Sequence, residues 1–129
     1  MPERSEDWLR QGVHDCEHAR TAAAAGHHDW ACFAAQQAGE KALKALAARF
    51  GGEAWGHSLL GMVDELTRVV PDVATLREVA ILLDRFYIPT RYPNGFDRGA
   101  PVDYFLERDG REAIANAERI LEFVRRRLS

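Results

Sequence analysis

Arg91 sits between two tyrosines and two prolines in the run Tyr87-Ile88-Pro89-Thr90-Arg91-Tyr92-Pro93-Asn94-Gly95. A guanidinium presents a planar fork of N–H donors that suits phosphate or carboxylate oxygens, and a tyrosine ring can stack on a nucleobase or donate a hydrogen bond. Pro89 forbids an undisturbed helix through this run, while Pro93 fixes a second backbone point and biases Tyr92 towards an extended conformation. Arg91 is thus offered from a stiff loop and loses little backbone freedom when it clamps an anion. Arg85 and Arg98 add local positive charge, partly offset by Asp84 and Asp97. An ion pair between Arg91 and a carboxylate such as Asp84, pinning the loop, explains the same residues equally well.

His57, in Trp55-Gly56-His57-Ser58-Leu59-Leu60, is a second group with useful chemistry. An imidazole ordinarily titrates near neutrality and can act as a general base or as a donor to phosphate. A helix N-terminus at this point favours an anion but disfavours an imidazolium. The structural alternative, packing or capping through local backbone bonds, weighs more. Lys41 and Lys44 interrupt an apolar helix, so one is expected to reach solvent while the other faces a cleft. Lys41 joins Tyr87, Arg91, Tyr92, His57 and Asp84 as a candidate for binding a nucleotide.

Other chemistries find little support. His14 and His18 share a helix face, but no neighbouring residue completes a recognised metal-ligand set, and a solvated polar face accounts for the pair. Cys16 and Cys32 fall in apolar helical patterns, where buried free thiols are expected. No serine or cysteine occupies a nucleophile elbow, and no glycine-rich phosphate loop is present. No metal and no cofactor are expected.

The elements that must position these residues are helices. Trp8, Leu9, Gly12, Cys16, Ala19 and Ala23 recur at intervals of three and four, with Ser5 as N-cap and Gly26 as terminator. A second helix, residues 29–50, carries a smooth stripe of Ala31, Ala35, Gly39 and Ala42 that admits another helix at close range. A third runs from about Ser58 to Val70, and Pro71 stops it. The fourth begins between Asp72 and Thr75, with Thr75 and Glu78 at capping-box spacing, and ends near Phe86. After a Gly/Pro-rich loop, Asp109 and Glu112 form another capping pair, and the last helix carries Ile114, Ala117, Ile120, Leu121, Val124 and Leu128. Arg125, Arg126 and Arg127 suit the negative end of its dipole. The expected fold is all-α: an antiparallel up-and-down bundle of four long helices plus a shorter one, in a single domain over residues 1–129.

Composition agrees with this. The chain has 47% hydrophobic and 29% charged residues and a formal net charge of −3, which argues against a surface coated for nucleic-acid binding but not against a local basic cleft. The polar start Met-Pro-Glu-Arg-Ser-Glu-Asp-Trp lacks the pattern of a secretory signal, and no apolar run approaches a membrane span. A cytoplasmic protein with no membrane partner is expected.

Taken in order, Asp29 to Leu46 (DWACFAAQQAGEKALKAL), Trp55 to Leu60 (WGHSLL), Leu83 to Gly95 (LDRFYIPTRYPNG) and the final helical repeat strongly resemble the HEPN domain family, in its compact stand-alone prokaryotic form. The resemblance covers nearly the whole chain. It implies a helical bundle, a homodimer with a cleft between protomers, a small nucleotidyltransferase as partner, a toxin–antitoxin context for some members, and a link to nucleotides or RNA. Many members are metal-independent ribonucleases whose motif is an arginine and a histidine separated by four to six intervening residues. Arg91 matches the arginine, but Phe96, Asp97 and Arg98 stand where the histidine would fall, and no histidine follows His57. Three readings follow. The domain binds a nucleotide or RNA as a module; or it is an unconventional ribonuclease using Arg91 with Tyr87, Tyr92 or His57; or it is a purely structural interaction domain. The missing proton carrier favours the first, because losing an acid–base group commonly forfeits about two to four orders of magnitude in rate.

Overall fold

The computed structural model describes residues 3–50 and 52–129. Among these the chain is all-helical: α1 (Ser5–Ala24), α2 (His28–Arg49), α3 (Leu59–Leu66), α4 (Arg77–Asp84) and α5 (Glu107–Leu128), with 3-10 turns at Pro71–Leu76, Pro93–Gly95 and Pro101–Asp103. No helix among the described residues is long and apolar enough to cross a membrane.

The second helix is the centre of the bundle. Ala31, Ala35, Ala38, Ala42, Leu43, Ala45 and Leu46 are fully buried along it. Small side chains let its neighbours approach closely, and Gly39 marks the tightest point. A Cβ there would come within 2.8 Å of Leu59 Cδ2, 3.2 Å of Ile120 Cδ1 and 3.3 Å of Leu83 Cδ1, so α3, α4 and α5 all converge on one glycine. Gly12 likewise lets α1 settle against the backbone of Ala38.

Paired residues fix the directions. Ser5 meets Arg49 and Asp15 meets Lys41, so α1 and α2 are antiparallel across the Gly26 turn, whose φ of +82° suits glycine. Gly110 lies against Ala31, and Arg49 donates to the Leu128 carbonyl, so α5 runs parallel to α2. The long third and fourth helices suggested by periodicity are two short ones of 8 residues each, joined by the 3-10 turn at Pro71.

Three expected caps form differently. Arg4 holds the N-cap position, and Ser5 is buried in the first turn, where its hydroxyl accepts from Arg49 Nε at 3.2 Å. Thr75 Oγ1 donates to the Asp72 carbonyl within the 3-10 turn rather than capping α4. Asp109 does serve α5, but from the third helical position: its Oδ2 accepts from Leu106 N at 2.8 Å, without Glu112. Both cysteines are free and buried, as their apolar neighbours require. Burial raises the Cys16 thiol and pushes that of Cys32 up to about 12.

Candidate functional site

The loop after α4 holds Arg91 by its backbone and by rings. Arg91 N–H donates to the Ile88 carbonyl, and Nε and one terminal nitrogen both donate to the Tyr87 carbonyl, at 3.0 and 2.6 Å. The guanidinium carbon then lies 4.1 Å from the Phe33 ring centre, 4.8 Å from that of Tyr87 and 5.1 Å from that of Tyr92. Three aromatic faces stabilise the cation by about 0.5–1 kcal/mol each at partly exposed positions. No carboxylate among the described residues pairs with Arg91, which leaves the second terminal nitrogen of its fork without a protein acceptor.

The rest of the loop is a rigid support. Thr90 is buried and donates to the Phe86 carbonyl at 2.7 Å. Phe96 stacks on Tyr104 with ring centres 4.0 Å apart and meets Phe105 edge-on, while the Tyr104 hydroxyl donates to the Arg98 carbonyl. Phe96, one of the positions where a histidine would complete the arginine motif, is thus a packing residue.

Tyr87 carries the site onward to His57. The imidazole stacks on the Tyr87 ring with centres 4.7 Å apart and planes 19° from parallel. His57 Nδ1 lies 2.9 Å from Glu40 Oε1, and the His57 carbonyl accepts from Gln36 Nε2 at 3.0 Å. Glu40 is almost wholly buried; Lys44 Nζ at 3.2 Å and Gln37 Nε2 at 3.4 Å complete its shell. A buried carboxylate needs such partners, because unpaired it would carry its full desolvation cost. The contact fixes the Nδ1 edge of the His57 ring on Glu40, while the side chain as a whole stays half exposed.

Tyr87, Arg91, Tyr92 and His57 therefore come together, and two other candidates do not. Lys41 turns to α1, where it forms an ion pair with Asp15; Lys44, three residues on, joins the Glu40 cluster instead. Asp84 neither pairs with Arg91 nor faces it. Its two oxygens accept from Leu59 N at 2.8 Å, Leu60 N at 3.0 Å and the Ser58 hydroxyl at 3.2 Å, which caps α3. Unpaired N–H groups at a helix start explain why a carboxylate is held there. Phe33, Gln36, Gln37 and Glu40 were not among the expected site residues. The available signal was Glu40 with Lys44 at i and i+4, a charged pair inside an otherwise buried helix.

A HEPN domain model matches residues 5–127. Among solved structures, the chain is similar to TT1696 from Thermus thermophilus, with 42% identity over 97% of this chain and 98% of that one, at a TM-score of 0.93. It is also similar to ST0689, an archaeal HEPN homologue, with 40% identity over 99% of this chain and all (100%) of the other, at 0.82. A HEPN domain protein from Thermotoga maritima is 30% identical over 95% of this chain and 97% of its own, at 0.77. No curated protein matches.

Proposed function

The chain belongs to the HEPN domain family, and on that premise we propose that it is a nucleotide- or RNA-binding module in which Arg91 clamps a phosphate. One observation carries this reading: the guanidinium is fixed by three rings and its own backbone, with no carboxylate among the described residues to neutralise it. A cation held this way is oriented before the ligand arrives, so little side-chain freedom is lost on binding. Tyr92, half exposed beside it, offers a ring for a base. Family membership supports a homodimer and a small nucleotidyltransferase protein as partner, including a toxin–antitoxin setting. A homodimer would sediment at about twice 14.5 kDa. Titration of the purified protein with uridine monophosphate and a short single-stranded RNA, in the parent and in Arg91→Ala, tests the clamp.

A second reading has its own observation. His57 is held by Glu40 through Nδ1 and laid against the tyrosine that Arg91 also touches, and its Nε2 bonds no group among the described residues. That arrangement would let an unconventional ribonuclease take a proton from a ribose hydroxyl beside a phosphate on Arg91. Metal-independent RNA cleavage lost in both Arg91→Ala and His57→Ala would support it, and cleavage persisting in either variant would reject it.

A further inference from the structure

The surroundings of Arg91 hold one aromatic surface that the phosphate clamp does not use. Trp30, in the first turn of α2, is 49% exposed although it is the largest side chain on that helix. It meets Phe33 edge to face, with ring centres 6.0 Å apart at 78°, and Phe33 is the ring closest to the Arg91 guanidinium. Tyr92, also half exposed, brings its own ring to 5.1 Å from the guanidinium carbon. Two half-exposed rings thus adjoin the cation, Tyr92 directly and Trp30 through Phe33.

A core tryptophan would be turned inward, where it would contribute its full apolar area. Trp30 instead leans on Phe33 and leaves half its surface open, and no cation or carboxylate of the described residues is bonded to it. A mononucleotide has one base and could occupy only one of the two exposed rings while its phosphate sits on Arg91. A phosphodiester linking two bases offers one base to each ring.

We propose that Trp30 and Tyr92 are the two base-stacking surfaces of a site built for an unpaired oligonucleotide, with an internal phosphodiester on Arg91 between them. The inference rests on the phosphate-clamp reading and narrows it. The ligand is a flexible single strand rather than a free nucleotide, because stacking on both rings requires two adjacent bases splayed apart. Duplex bases, stacked on one another, present no face to either ring.

The test compares hexauridylate with uridine monophosphate by isothermal titration, in the parent, Trp30→Ala, Trp30→Phe and Arg91→Ala, with sedimentation equilibrium on each protein. The parent is expected to bind hexauridylate at least tenfold more tightly than the monophosphate. Trp30→Ala should weaken hexauridylate by about five- to a hundredfold, the range for losing one stacked base. It should leave the monophosphate unchanged, and Trp30→Phe should retain most of the affinity. The proposal is overturned if Trp30→Ala leaves hexauridylate binding intact, or if it weakens both ligands equally. It is also overturned if the variant's sedimentation mass halves, since Trp30 would then be a contact between two copies of the chain. Arg91→Ala separates the two claims: full binding in that variant rejects the clamp itself, whereas lost binding there with an unaffected Trp30→Ala rejects only the stacking surface.

Discussion

Glu40 and His57 meet across the junction of α2 and α3, with Glu40 Oε1 2.9 Å from His57 Nδ1. The same carboxylate holds Lys44, so its negative charge compensates a largely buried ammonium while orienting an imidazole. Glu40→Gln keeps the shape and removes the charge. It should destabilise the protein by about 1–3 kcal/mol, the range for a buried charged group left without its partner. The double variant Glu40→Leu/Lys44→Met should cost less than Glu40→Leu alone, because no orphaned ammonium remains. Urea unfolding of the set measures this, and a change below about 0.5 kcal/mol in Glu40→Gln would mean that the cluster is not a coupled unit.

Asp84 gives a contrasting expectation. Its carboxylate caps α3 through Leu59 and Leu60, so Asp84→Ala should lower stability by about 0.5–2 kcal/mol. Asp84→Asn, which keeps an acceptor oxygen, should recover part of the loss. A melting-temperature series decides between roles. Unchanged stability with lost nucleotide affinity would make Asp84 a ligand contact rather than a cap.

Cys32 links the core to pH. Burial raises its thiol to about 12, above the ordinary value of 9.0, so the folded state favours the neutral form. The resulting stability is complete below pH 9 and is lost as pH rises from there towards 12, where only the unfolded chain readily ionises. At about pH 8 a thiol reagent should modify neither cysteine until the protein unfolds. Rapid labelling of the native protein would contradict the buried, protonated state.

Much of this arrangement is legible in the sequence. The i, i+3, i+4 pattern along α1, α2 and α5 comes from the helices themselves, and the small-residue stripe ending at Gly39 and Ala42 marks the central contact. The two prolines correctly place Arg91 in a constrained loop with Tyr87 and Tyr92. What stays hidden depends on how helices meet. Lys41 and Lys44 are equally charged interruptions of α2; Lys44 pairs with Glu40 within the helix, whereas only the position of α1 assigns Lys41 to Asp15. Asp84 caps a helix 25 residues earlier in the chain, beyond any local capping pattern. His57 and Glu40 are 17 residues apart and become partners only because the start of α3 lies against the middle of α2.

The central claim is that Arg91 is a phosphate clamp whose setting is preformed. Isothermal titration with hexauridylate and uridine monophosphate, paired with thermal unfolding of the same Arg91→Ala sample, tests it most directly. The account predicts an affinity loss of about 1–3 kcal/mol for both ligands, the worth of a charge-assisted hydrogen bond, in a bundle that stays folded with its melting temperature lowered by about 5–15 °C as the cation–aromatic contacts are lost. Undiminished affinity in a folded Arg91→Ala protein, or unfolding of the bundle by that change alone, would contradict it.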